Sequence, residues 1–276
     1  ARRPSSGPIL GLVVSRPEER VARIVERIVR IPIGELDADE RHRLVRSRFV
    51  EGEAVDERIE PILQKAGGNP FFILEILESM VDRDVLRAVD RGGIKLLEWR
   101  TAAVRPIQLP TTLEGLVAAR IDELSADERL LLRWGSVVGN SFRAHLLKEL
   151  TWLAAEPLLQ KLCKKGLLVE RAPGLWAFKH VVSREVAYRG LHEDDRIRMH
   201  RRAGDRLASS GGGKGLGAAR VGRHYELAGE GSLAAAAYLE AADAARRVHS
   251  NKEALRLLGR ALDLLSPEDP RRVHVH

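Results

Sequence analysis

Two short apolar runs, Leu167-Leu168-Val169-Glu170-Arg171 and Leu175-Trp176-Ala177-Phe178, flank Ala172-Pro173-Gly174. Strand-forming residues on both sides of a Pro-Gly turn predict a β-hairpin. Three helical patterns come immediately before it. The first starts at Ser125-Ala126-Asp127-Glu128 and carries Leu130, Leu131, Leu132, Trp134 and Val137; the next are Phe142–Leu150 and Glu156–Lys165, the last closed by Gly166. Three helices followed by a two-stranded hairpin is the layout of a winged helix, and this feature most restricts what the chain folds into.

The flanking segments are helical too. Asp37 with Glu40 three residues on is a capping signature, followed by Leu44, Val45 and Phe49. Ile59, Ile62, Leu63 and Ala66 form a short helix stopped by Gly67-Gly68, and Asn69-Pro70 then supplies a cap and a proline for a helix carrying Phe71, Phe72, Leu74, Ile76 and Leu77. Residues Arg87–Pro110 read as irregular, and Pro110-Thr111-Thr112 opens a helix running to Leu124. Beyond the hairpin, helices are expected over Val181–Leu191, Arg196–Leu207, Ala218–Leu227, Ala234–Val248 and Lys252–Leu265. Small residues such as Ala241, Ala242, Ala245, Ala254 and Ala261 suggest stacked helical hairpins of the tetratricopeptide type.

The N-terminal stretch differs. Ile9-Leu10-Gly11-Leu12-Val13-Val14 is the pattern of a strand buried on both faces. Ser15-Arg16-Pro17-Glu18 leaves it, and Val21, Ile24, Val25, Ile28 and Val29 follow at helical spacing. One strand and one helix make no sheet, so this reads as the last edge of an α/β domain lying upstream, and the chain as a piece of a longer protein. The expected class is mainly α, divided as 1–34 (edge of an α/β core), 35–112 (small helical domain), 113–195 (winged helix) and 196–276 (tetratricopeptide-like helices).

With 44% hydrophobic residues among 276, the chain has material for a core, and no apolar run approaches membrane-spanning length. The single cysteine, Cys163, excludes a disulfide framework and a Cys-rich zinc site, and a reducing, cytoplasmic setting fits. Net charge is +7, but both signs are interspersed and aromatics are 4%. That balance argues against a nucleic-acid stripe or a base-stacking platform. The alternative class is a DNA-binding winged helix, reading with Glu156–Lys165 through Gln160, Lys161, Lys164 and Lys165, with Arg171 on the wing.

Motifs for chemistry are missing. There is no His-Glu-x-x-His, no Gly-x-Ser-x-Gly and no phosphate loop of the form Gly-x-x-x-x-Gly-Lys-[Ser/Thr]. Gly211-Gly212-Gly213-Lys214-Gly215 lacks the hydroxyl, the first glycine and a preceding strand, and reads as a flexible linker. His192 and His200, set among Arg196, Arg198, Arg201 and Arg202, read as a polar helix face, and no metal site is expected. No catalytic residue is assigned, and the segment itself is expected not to hydrolyse ATP.

Four stretches in one order carry a resemblance: Ser15-Arg16-Pro17-Glu18 after a buried strand; Gly67-Gly68-Asn69-Pro70-Phe71-Phe72; Leu109-Pro110-Thr111-Thr112-Leu113 before Ala119-Arg120-Ile121-Asp122-Glu123-Leu124; and Phe178-Lys179-His180-Val181 through Tyr188 after the wing. The order resembles the signal-transduction ATPases with numerous domains, the STAND class of AAA-related P-loop NTPases. It is most similar to the branch fused to adenylate or guanylate cyclases, Ser/Thr kinases or LuxR-type regulators. The resemblance implies the end of an NTPase core, a helical lid over 35–112, a winged helix and a helical sensor. It implies ATP or ADP with Mg as cofactor, held mainly by an upstream core. Arg16 then faces the γ-phosphate, Pro70 packs on the adenine, and His180 takes the place of the histidine of a Met-His-Asp element at the β-phosphate. Lys179 and Val181 stand where that element has Met and Asp. The implied partners are nucleotide, upstream NTPase and effector domains, and a protein on the tetratricopeptide-like helices; a homo-oligomer is compatible.

Overall fold

The computed structural model describes residues 31, 33–51, 59, 60, 63, 64, 66–100, 112–210 and 213–275. The strand expected at Ile9–Val14, the helix after it and Arg16 lie outside the described residues.

Helix α1 (Ala38–Arg46) opens on the expected capping box: the Asp37 carboxylate accepts from the Glu40 amide, and the Glu40 carboxylate accepts from the Asp37 amide. Helix α2 (Pro70–Asp82) opens on Asn69, whose Oδ1 accepts from the Phe71 amide at 3.0 Å and the Phe72 amide at 3.3 Å. Proline at the first helical position forfeits only an N–H that would have no intrahelical acceptor.

The region from Arg87 is where expectation and structure part. Strands β1 (Leu86–Arg91) and β2 (Ile94–Trp99) form an antiparallel hairpin in register from Leu86↔Trp99 to Arg91↔Ile94. Gly92 and Gly93, read as part of an irregular stretch, are its two-residue loop, with φ of +66° and +84°. Two positive φ angles in succession are what a type I′ loop requires and glycine supplies. A parallel bridge from Phe49 to Leu97 fastens the hairpin to the end of α1, and the Phe49 and Trp99 rings lie 5.7 Å apart. Val45, Phe49, Ile59, Leu63, Ile73, Ile76, Met80 and Leu86 share one buried cluster beneath it.

Helix α3 (Leu113–Asp122), capped by Thr112, leads into α4 (Ala126–Val138), α5 (Ala144–Thr151) and α6 (Ala155–Lys164). The wing is β4 (Leu168–Ala172) and β5 (Leu175–Phe178), as the apolar runs indicated. It has a third strand, β3 (Ser141–Arg143), giving the order β3-β5-β4. The expected single hairpin is therefore a three-stranded sheet with a second hairpin elsewhere, and the helix expected from Phe142 starts at Ala144. Gly139, at φ +145°, ends α4 in a backbone shape open to glycine, and the chain leaves extended. Phe142 thereby pairs with Trp176 and sits edge-on to Phe178 at 6.0 Å, buried in the larger core.

Helices α7 (Val181–Arg189), α8 (Glu193–Ser209), α9 (Ala218–Leu227), α10 (Gly231–Arg247) and α11 (Asn251–Leu264) complete a mainly helical architecture. Helices α8 to α11 pack each on the next. Between α8 and α9, where a flexible linker was expected, Gly213 is buried against the Leu207 backbone and the Gly215 amide donates to Glu240, so these two residues are held. Helix α10 buries Ala234, Ala235, Ala237, Ala241, Ala242 and Ala245, so its neighbours approach closely. A Cβ at Gly222 on α9 would stand 2.8 Å from the Tyr238 ring, whose hydroxyl donates to Glu226 at 2.7 Å. Alanine would gain about 1 kcal/mol in helix propensity. The fixed ring opposes it, and overpacking of this kind costs about 1–3 kcal/mol. Gly222→Ala is expected to lower the melting temperature in thermal denaturation; an unchanged or raised value would show that Tyr238 yields. Among the described residues no helix is long and apolar enough to cross a membrane, and no three His, Cys, Asp or Glu side chains gather as a metal site.

Candidate functional site

Of the three residues singled out from sequence, His180 packs on Phe71, the residue next to Pro70, at the join between α2 and α7. Pro70 stands exposed at the start of α2. His180 caps α7 in an extended conformation, having just left β5, and its side chain makes no capping hydrogen bond. Its ring packs on Phe71, the neighbour of Pro70, at 3.9 Å between centroids and a 40° tilt. One turn deeper in α2, Glu75 Oε1 lies 4.0 Å from His180 Nε2. That approach is an ion pair only for a protonated ring. Burial and the adjacent Lys179 charge hold His180 below the usual histidine range, against an opposing pull from Glu78. The imidazole is therefore neutral at physiological pH, with one ring nitrogen a donor and the other an acceptor.

Beneath this contact lies an ionic cluster centred on Arg120 of α3, which is only 6% exposed. Its Nη1 donates to Glu75 Oε2 at 2.5 Å and to Glu78 at 3.4 Å, its Nε faces Asp82 at 3.2 Å, and its Nη2 donates to the Lys165 carbonyl at 2.5 Å. Glu78 also accepts from Lys179 Nζ at 3.0 Å, and Lys165 Nζ donates to Glu128 at 2.9 Å. Burial raises the pKa of Glu75 and of Asp82, and Arg120 offsets only part of it. Glu128 is lowered: burial opposes the charge, but Lys165 and the Ser125 cap outweigh it. Gly166 completes the packing, because at φ +71° a Cβ there would meet Glu78 at 2.6 Å.

The cluster ties α2 to α3, to the turn before β4 and to the end of β5, so it fixes where His180 stands relative to Pro70. Arg120 and Lys179 stand inside the stretches that carry the resemblance without a role of their own, and Glu75 was not singled out from the sequence. A charge alone at a helical position among apolar residues, such as Glu75 between Leu74 and Ile76, was the available signal. Of the basic residues considered for DNA contact, Lys165 is occupied by Glu128, while Lys161, Lys164 and Arg171 are exposed. His200 is not on a polar face: it is 2% exposed and bonded to other rings, as described below.

No protein-family model matches the sequence, and no curated protein matches it. Among solved structures the chain is similar to a Signal Transduction ATPase with Numerous Domains (STAND) protein with a tetratricopeptide repeat sensor from Pyrococcus horikoshii. The two are 17% identical with a TM-score of 0.47, over 86% of this chain and 35% of that one. The chain thus spans about a third of the length of the solved structure it matches.

Proposed function

We propose that this chain is the regulatory segment of a nucleotide-dependent signalling switch of the STAND type. The observation that supports the reading is the ring contact of His180 with Phe71, the residue next to Pro70, which brings the start of α7 onto the start of α2 although they are about 110 residues apart in sequence. In this reading an upstream P-loop core holds ATP or ADP with Mg, which supplies the phosphate charge. This chain's residues orient and enclose. Pro70 and the start of α2 present an apolar edge to the adenine. His180, neutral and held between wing and helix, donates from a ring nitrogen to a phosphate oxygen, and Arg16, outside the described residues, takes the γ-phosphate role that the resemblance implies. The Arg120 cluster keeps α2 and His180 in register. The helices after α8 receive a cytoplasmic protein partner, whose docking shifts the balance between closed and open arrangements.

A neutral donor to a charged acceptor contributes about 1.5–3 kcal/mol. In the protein extended upstream of Ala1 through its nucleotide core, His180→Ala is therefore expected to speed release of fluorescent ADP about tenfold or more. The chain alone is expected to show no submicromolar ATP site in calorimetric titration. An unchanged release rate in a folded variant, or an upstream sequence without Gly-x-x-x-x-Gly-Lys-[Ser/Thr], overturns the reading.

A further inference from the structure

Three consecutive helices repeat one pattern. Arg184 and Tyr188 lie four residues apart on α7, Arg196 and His200 on α8, and Arg220 and His224 on α9. Residues four apart share a helix face. The three rings are joined in a chain: Tyr188 Oη lies 2.9 Å from His200 Nε2, and His200 Nδ1 lies 2.9 Å from His224 Nδ1. Arginines gather on it. The guanidinium carbons of Arg184 and Arg196 stand 5.9 and 5.6 Å from the Tyr188 ring centroid. Arg223, next to His224, is close enough for its charge to depress both imidazoles and Arg184.

These arginines lack counter-ions. Elsewhere on α8, Arg198, Arg201 and Arg206 pair with Asp195, with Asp205 and Glu230, and with Glu149. Among the described residues, Arg184, Arg196, Arg220 and Arg223 form no ion pair, and the acid felt by Arg184 is Glu185 at longer range. Arg184 Nε donates to the Ser136 carbonyl and Arg220 Nη2 to that of Val138. Arg196 Nε is buried with no hydrogen-bond partner. A buried N–H without an acceptor carries a desolvation cost that a bound anion removes. Guanidinium groups arriving from three helices suit a tetrahedral oxyanion, which accepts from several directions, better than a planar carboxylate.

We propose that Arg184 and Arg196, gathered on the Tyr188 ring, form a binding site for a phosphate-bearing anion where α7, α8 and α9 meet, with Arg223 of α9 adding its charge. The site is separate from the Pro70–His180 join, and its test does not depend on that reading. Inorganic pyrophosphate titrated at constant ionic strength should raise the melting temperature saturably, by about 2–4 °C at five times the dissociation constant. Arg196→Gln and Arg223→Gln should each weaken binding about tenfold, as expected for loss of one charge-assisted contact, while Arg171→Gln on the wing leaves it unchanged. Proton NMR of the unsubstituted chain gives a second readout: bound pyrophosphate should move the protonation midpoints of His200 and His224 upward. Tighter binding of ATP than of pyrophosphate assigns the phosphate to a nucleotide, and equal binding assigns it to free phosphate. No saturable shift, equal binding by the arginine variants, unmoved histidine midpoints, or tighter binding of a polyglutamate peptide than of pyrophosphate overturns the proposal.

Discussion

Arg120→Met is expected to lower the unfolding free energy by about 3–5 kcal/mol, because it leaves a buried carboxylate without its counter-charge. Glu75 is 2% exposed and accepts from Arg120 at 2.5 Å. Its surroundings already favour the protonated form, so on loss of the guanidinium it takes up a proton or the local structure opens. The Lys165 carbonyl and Asp82 lose a donor in the same step. Methionine fills a similar volume, so the cost is electrostatic rather than a cavity. Chemical denaturation of Arg120→Met, Glu75→Met and the double variant separates these contributions. The double variant should recover most of the loss, since well-packed apolar replacements of a buried ion pair are tolerated. A loss under about 1 kcal/mol in the single Arg120 variant would show that water reaches Glu75.

Mild acid is expected to destabilise the C-terminal helices strongly. Burial, followed by nearby positive charge, lowers the pKa of His200 to about 4 and that of His224 to about 3, from an ordinary 6.5. Arg223, Arg184 and Arg196 act on His200, while His200, Arg220, Arg223 and Arg184 act on His224. Both groups are depressed in the folded state, so the unfolded chain binds protons first. Stability is intact above pH 6.5 and declines as the pH falls from 6.5 toward 4, flattening only below the folded values. Between pH 7 and 5 the loss is about 2 kcal/mol for each imidazole. Denaturant unfolding followed by helical circular dichroism at the two pH values measures it. His200→Gln with His224→Gln should remove most of this pH dependence in that window. An equally steep decline in the double variant would place the acid sensitivity elsewhere.

Local signals were legible. The caps at Asp37, Asn69 and Ser125 act within three residues of themselves, and the structure uses each as its spacing indicated. The apolar runs around Pro173-Gly174 sufficed for β4 and β5 because Leu168, Trp176, Ala177 and Phe178 are buried and the strands join across a short turn. What was missed depends on distant partners. Strands β1 and β2 carry Arg87, Asp90, Lys95 and Glu98, which obscure any alternation, and their footing is Phe49, far back in the chain. Strand β3 has three residues, and its register is set by β5, more than thirty positions later. His200 looked polar because Arg196, Arg198, Arg201 and Arg202 surround it in sequence. Only stacking of α7, α8 and α9 shows that its ring turns inward while most of those arginines turn out. At the candidate site, Pro70 and His180 came from the resemblance; Phe71 and Glu75, which touch His180, came from the fold.

Helix α3 places two neighbouring residues in different interiors. Leu116 belongs to the smaller cluster under the first hairpin, while Val117 and Ile121 belong to the larger one under the wing. Adjacent helical residues point about 100° apart, so a single rod forms part of the wall of two rooms. Neither room can swing as a rigid block while α3 stays fully seated in both. Any relative rotation must either roll the rod, withdrawing one side chain as the other stays put, or break at the segments flanking it, on the Thr112 side or at Glu123–Ser125. The guanidinium of Arg120, on the same rod, ties it to α2 and to the turn before β4, so the helix that joins the two rooms is also anchored to both by charge.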